Sequence, residues 1–236
     1  MQNSSFLAVL SLQYNITFLF VSAIIVFIGY LFKNHKAFFK RHDTVTVSII
    51  ALIGFSCGVA DSIHEIFWLH MPLIDSLPLE LCGFTYAIFM PLALLTRNVL
   101  MQQIALYWGV MGAMLSFLFP NLSTTLDFEY FRYYIAHGTL LIGVIYPFLV
   151  RDVPLTRWTF LKGWFALQTF SIIMLSFDLI FHVNYFYLVH KPPETSPLDD
   201  MGPWPYYLVI CESIAFVLYF IINLFGRTCL KNEKVI

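Results

Sequence analysis

Tyr14–Phe32 reads YNITFLFVSAIIVFIGYLF, nineteen residues without a charged side chain. A helix rises about 1.5 Å per residue, so this run is long enough to cross the roughly 30 Å hydrocarbon core of a bilayer. Lipid offers the backbone no hydrogen-bond partner, and a helix satisfies its own. The run lacks a basic segment ahead of it and a small-residue cleavage site behind it. It therefore reads as a retained helix and not as a signal peptide.

Working outward, six more spans follow the same rule. They run from about Val45 to Trp68, Leu79 to Thr96, Val99 to Phe119, Phe131 to Val150, Thr159 to Phe181 and Pro205 to Phe225. The composition agrees: 59% of residues are hydrophobic, 11% are charged, and the mean hydropathy is +0.77. The expected fold is all-α, one polytopic domain over residues 1–236 with seven transmembrane helices. A net charge of −1 excludes the basic field of a nucleic-acid binder. Cys57, Cys82, Cys211 and Cys229 fall in or at the edge of apolar spans and lack CxxC spacing, so no disulfide framework is implied.

Basic residues set the orientation. Lys33, Lys36, Lys40, Arg41, Arg97, Arg151, Arg157, Lys162, Arg227, Lys231 and Lys234 fall on one side, eleven of thirteen. Arg132 and Lys191 fall on the other, with Asp75, Asp127, Glu129, Glu194, Asp199 and Asp200. The positive-inside rule then places the N-terminus outside and the C-terminus in the cytoplasm. Gly54 and Gly58 form a GxxxG pair, a close helix-packing signal. Asn3, Asn15 and Asn121 each begin an N-x-S/T triplet, which matters only where a secretory pathway glycosylates. The tryptophans read mostly as an interfacial belt.

Ionisable residues inside spans are costly and mark function by default. Asp61, His64 and Glu65 share one face of the second span near its outer end. Cys82 lies roughly 5 Å into the third span, His137 roughly 9 Å into the fifth and Glu212 roughly 10 Å into the seventh, counted along the helices. Asp178 and His182 sit four apart at the outer end of the sixth. The shared depth suggests one polar cavity open to the outer side. Each group also has a plainer reading. Asp61, His64 and Glu65 suit a helix-packing network, Asp178 and His182 suit a pair at a helix end, and Arg132 suits a snorkelling anchor.

Leu77-Pro78-Leu79-Glu80-Leu81-Cys82-Gly83-Phe84 opens the third span. Pro78 suits the first position of a helix, and a thiol in the first turns lies where free N–H groups favour thiolate. Three reaction classes fit these residues. Cysteine with histidine supports acyl transfer, histidines with an aspartate support zinc-activated water, and buried acids with histidines support a proton or ion pathway. No HExxH motif is present, so zinc lacks a local signature.

The order of four motifs resembles the YwaF family of integral membrane proteins, which includes bacterial members and eukaryotic transmembrane protein 164. They are Leu77-Pro78-Leu79-Glu80-Leu81-Cys82; Tyr107-Trp108-Gly109 with Phe119-Pro120; Arg132 with His137; and Asn184-Tyr185-Phe186-Tyr187-Leu188 with Lys191-Pro192, Ser196-Pro197-Leu198-Asp199 and Gly202-Pro203-Trp204-Pro205. The resemblance implies a membrane acyltransferase that moves a fatty acyl chain between glycerophospholipids through an acyl-cysteine. Cys82 would be the nucleophile and His137 its base. Asp178, His182 or Glu212 would orient His137, and Arg132, Asn184 and Lys191 would meet lipid headgroups. The family often has histidine where this chain has Glu80. The implied partners are phospholipid and lysophospholipid in the bilayer, with no cofactor and no metal, in a bacterial cell membrane. A metal-dependent seven-helix lipid hydrolase and a transporter are the alternatives.

Overall fold

The computed structural model describes residues 11–120, 122, 126–193 and 196–231; Asn3, Asn121, Glu194 and Lys234 lie outside them. Among the described residues the chain is all-helical, with no strand. We number the helices α1 (Leu12–Asn34), α2 (Lys36–Arg41), α3 (Asp43–Phe67), α4 (Leu81–Thr96), α5 (Val99–Leu118), α6 (Phe128–Leu149), α7 (Thr159–Phe181) and α8 (Tyr206–Lys231). Three starts carry the side-chain caps that orphan N–H groups require. Ser11 accepts from the Tyr14 N–H at 3.2 Å, Asn98 from Met101 at 3.0 Å and Asp127 from Tyr130 at 3.0 Å.

Five helices, α1, α3, α5, α7 and α8, are long and apolar enough to cross a membrane. The two other long helices, α4 and α6, form the core of the bundle together with α5. α6 packs against α1, α3 and α5, and α4 packs against α3 and α5. α6 carries Glu129, Arg132, His137 and four tyrosines, so its sequence is less apolar than that of a helix facing lipid. The explanation is its surroundings: protein, not lipid, satisfies those groups. α1 is the opposite case, with only Tyr14 and Phe32 of its residues buried. It is held to the core by Tyr14, whose hydroxyl donates to the Phe117 carbonyl, and by Thr17, which accepts from Tyr130 at 2.7 Å.

α4 begins at Leu81, not at Leu79, so Pro78 lies ahead of the helix and packs on Gly83. Residues Thr85–Phe89 form a π turn, and Pro91 follows it. A proline inside a helix lacks the N–H that would bond back one turn, and a π turn relieves the strain. α3 crosses α4 at this irregular stretch. Gly54 lies against the Tyr86 carbonyl and Gly58 against Ala87, too close for any Cβ, so the GxxxG pair is a helix-packing site.

The tryptophans divide. Trp68, Trp158 and Trp204 are exposed, as a belt requires, but Trp108 is buried and donates to the Gly163 carbonyl at 3.2 Å. The segment between α7 and α8 folds back over the end of the bundle. The Tyr185 hydroxyl donates to the Ile74 carbonyl at 2.6 Å and accepts from the Leu77 N–H at 3.0 Å. That clamp fixes the stretch leading into α4. Trp204 donates to the Leu188 carbonyl at 3.0 Å, and Ser196 and Asp199 form a capping box on the turn Pro197–Met201.

Candidate functional site

Cys82 is the second residue of α4, half-buried, and its Sγ lies 3.6 Å from Ser116 Oγ. Ser116 belongs to the last turn of α5, where backbone carbonyls have no helical donor. The Tyr133 hydroxyl of α6 fills that need by donating to the Ser116 carbonyl. One turn on from Tyr133, His137 is 5% exposed, and its Nδ1 lies 2.9 Å from the Tyr133 carbonyl. A carbonyl only accepts, so Nδ1 carries the proton. In the neutral ring Nε2 is then the free acceptor. The Tyr133 and His137 rings lie 4.3 Å apart, centroid to centroid. Cys82 and His137 share no hydrogen bond; Tyr133 and Ser116 connect them. His137 sits nine positions past Phe128, roughly 14 Å along the axis and deeper than the sequence suggests, because α6 starts earlier than expected.

Gly112 opens the space for the thiol. A Cβ there would stand 2.7 Å from Cys82 Sγ. Gly112 and Ser116 are one turn apart on α5 and so present one face to Cys82. Two residues on from Cys82 along α4, Phe84 opens an aromatic cluster that packs separately from the thiol. Phe84 stacks on Phe170 at 4.6 Å, Phe170 meets Phe186 at 5.3 Å and Trp108 at 5.4 Å, and Phe89 meets Trp108 at 4.9 Å.

The other polar residues form separate groups around this one. Arg132 is not a snorkelling anchor. Its side chain is 16% exposed and pairs with Asp61 at 2.8 Å, while the Tyr86 hydroxyl approaches Asp61 at 3.5 Å. Tyr86 also lies 6.2 Å from the His137 ring, so this ion pair borders the cysteine group. His64 Nδ1 stands 3.5 Å from Glu129 Oε1, and the Glu65 side chain makes no hydrogen bond among the described residues. Asp178 and His182 do not pair. Asp178 accepts from the Tyr185 N–H at 3.2 Å and so holds the clamp residue, while His182 ends α7 in a left-handed conformation with its side chain exposed. Glu212 accepts from Gln168 between α7 and α8.

Two expected headgroup contacts are occupied by their own loop. Asn184 accepts from the Val189 N–H at 3.1 Å and donates to the His190 carbonyl at 2.8 Å. Lys191 reaches the Asp199 carbonyl at 3.4 Å and lies 5.6 Å from the Tyr207 ring centre. Among the other cysteines, Cys57 is buried beside Gly58, and Cys211 lies 3.8 Å from Met201 Sδ with no histidine partner among the described residues. Among those residues no three His, Cys, Asp or Glu side chains stand close enough to share a metal ion.

Sequence reasoning missed Gly112, Ser116, Tyr133 and Tyr86. Only Tyr133 had a signal, its spacing of four from His137. The apolar helices mark an integral, multi-pass membrane protein. Comparison with curated proteins gives no match, and neither does comparison with solved structures. Residues 8–223 match the model of the TMEM164 family, which is most of the chain, and the protein therefore belongs to the TMEM164 family.

Proposed function

We propose that the protein is a membrane acyltransferase that carries a fatty acyl group between glycerophospholipids as a thioester on Cys82. The observation that carries this reading is the arrangement of Cys82, Ser116, Tyr133 and His137. A thiol at the start of a helix is connected through one serine and one tyrosine to a histidine whose tautomer is fixed. The aromatic cluster that Phe84 opens on the same helix suits an acyl chain. In the same reading all seven long helices cross the membrane with the N-terminus outside. Cys82 then lies at the height of a lipid ester in the outer leaflet, expected to be that of a bacterial cell membrane.

The reaction has two halves. His137 Nε2 takes the thiol proton, and the Cys82 sulfur attacks the ester carbonyl of a donor phospholipid. The C–O bond breaks, the leaving alkoxide takes the proton back from His137, and a lysophospholipid departs. A second lysophospholipid then enters. His137 removes its hydroxyl proton, the oxygen attacks the thioester, and the thiol is restored as the sulfur regains that proton. The N–H groups of Leu81, Cys82 and Gly83 have no acceptor within the helix and suit a developing oxyanion. Because Cys82 and His137 share no hydrogen bond, substrate binding must bring them within proton-transfer reach. Catalytic hydrogen bonds often tighten only in the complex.

The test is turnover in proteoliposomes with an isotope-labelled phospholipid and an unlabelled lysophospholipid acceptor. The wild type should move label to the acceptor. His137→Ala should slow that transfer by about 10²–10⁴, the range of general acid–base catalysis. Label found only as free fatty acid would make the protein a hydrolase, and no movement of label at all would leave transport as the reading.

A further inference from the structure

At the end of the bundle opposite Cys82, the end of α2, the start of α3, the end of α4, the start of α5 and the turn after α6 meet around a cavity of about 440 Å³. Its polar lining is Lys40, Asp43, Arg97, Gln102 and Arg151. Charge is unbalanced there. Asp43 accepts two bonds from Arg151, at 2.8 and 2.9 Å, and also pairs with Arg97 at 2.9 Å. Asp152 is shared by Lys36 and Lys40. Four cations thus face two carboxylates. Arg97 and Lys40 are 60% and 50% exposed, so both can turn toward a ligand.

Gln102 supplies the second observation. It is 2% exposed and donates from Nε2 to the Ala93 carbonyl at 3.0 Å, which fixes the amide. Its Oε1 is buried without a hydrogen-bond partner. An unpartnered buried acceptor costs about 1–3 kcal/mol, so a donor belongs beside it. Gln102 lines the cavity, so an anion that also carries a donor suits both features. Val99 and Val153 add an apolar side that suits a carbon chain joining the two.

We propose that this cavity binds a phosphate ester bearing a free hydroxyl, supplied by the headgroup of an anionic glycerophospholipid. The phosphate meets Arg97 and Lys40, and the hydroxyl donates to Gln102 Oε1. The cavity lies where the helices end, which for helices that cross a bilayer is the level of lipid headgroups, and a soluble glycerol phosphate is the other source of the same chemistry. The site is on the opposite face from Cys82 and does not depend on acyl transfer.

Native mass spectrometry of the delipidated full-length protein tests it, with phosphatidylglycerol, phosphatidylmethanol, phosphatidylcholine and glycerol phosphate as probes. Phosphatidylglycerol should be retained best. Phosphatidylmethanol, which has the charge but no headgroup hydroxyl, should be weaker, and phosphatidylcholine weakest. Arg97→Gln and Lys40→Gln should each lower phosphatidylglycerol retention about fivefold, the loss expected for one cation at a membrane surface. Their thermal midpoints identify any variant that fails to fold. Lys40 bonds only Asp152, which keeps Lys36, so Lys40→Gln carries the test if Arg97→Gln unfolds. Glycerol phosphate that competes at the same concentration would assign the site to the soluble ester, and failure to compete assigns it to lipid. Equal retention of phosphatidylglycerol and phosphatidylcholine, or no loss in a folded variant, would overturn the proposal.

Discussion

Gly112 is the glycine that bears on the site, because the thiol of Cys82 occupies the volume a side chain there would fill. Gly112→Ala would press a methyl group on Cys82 Sγ and force the thiol off Ser116. The helix itself should tolerate alanine, which favours helix over glycine by about 1 kcal/mol. The expected outcome is a protein of unchanged or slightly higher thermal midpoint that loses turnover. A variant with full turnover would show that the position of the thiol is not critical. Cys82 and His137 were legible in the sequence because each is an unusual residue in an apolar span. Gly112, Ser116 and Tyr133 were not, because glycine, serine and tyrosine are ordinary in membrane helices. Their role depends on how α4, α5 and α6 cross. Arg132 was misread for a related reason. A basic residue near a helix end reads as an anchor until its partner is known, and Asp61 lies seventy-one positions away in the chain.

The long helices were legible within a few residues of their ends, since twenty apolar residues in lipid have one structure to adopt. What the sequence did not show was rank among them. α4 and α6, the shortest and the most polar of the long helices, sit with α5 at the centre because the irregular backbone and the polar side chains can be satisfied only by other helices. The stretch leading into α4 is held from outside by Tyr185, which binds both the Ile74 carbonyl and the Leu77 N–H. Tyr185→Phe should leave both groups without that partner and cost about 1–3 kcal/mol. Limited proteolysis should then cut the segment between α7 and α8 faster, and turnover should fall more than the amount of folded protein. Unchanged proteolysis would mean that the segment is held elsewhere. Arg132→Gln should cost about 3–5 kcal/mol by leaving Asp61 unpaired in a largely enclosed place, read as a lower thermal midpoint in detergent.

Over the whole molecule the two ends of the bundle differ in kind. One carries the thiol and the clamped loops, and the other carries ion pairs around Asp43 and Asp152. Partial burial raises the affinity of Asp152 for a proton, but its bonds to Lys36 and Lys40 outweigh that and hold its carboxyl below the usual range. The sign follows from linkage. A carboxyl with a lowered folded pKa contributes stability above its unfolded pKa of about 3.9 and loses it as pH falls through the folded value. Asp152→Asn keeps a residue that tolerates the left-handed backbone found there, φ 58. The variant should therefore melt slightly below wild type near neutral pH, and the difference should vanish in acid. A difference that grows in acid would contradict the assignment. Orientation is tested separately. A reporter placed between Lys191 and Ser196 should be active outside, and one placed after Lys234 only in the cytoplasm.

The acyl-cysteine itself is the central claim, and peptide mass analysis after incubation with a labelled phospholipid in the absence of acceptor tests it most directly. The account predicts one hydroxylamine-labile acyl group on the peptide containing Cys82, slower to appear in His137→Ala and absent from Cys82→Ala. An acyl group on Cys211 or Ser116 instead, or full lipid remodelling by Cys82→Ala, would contradict it.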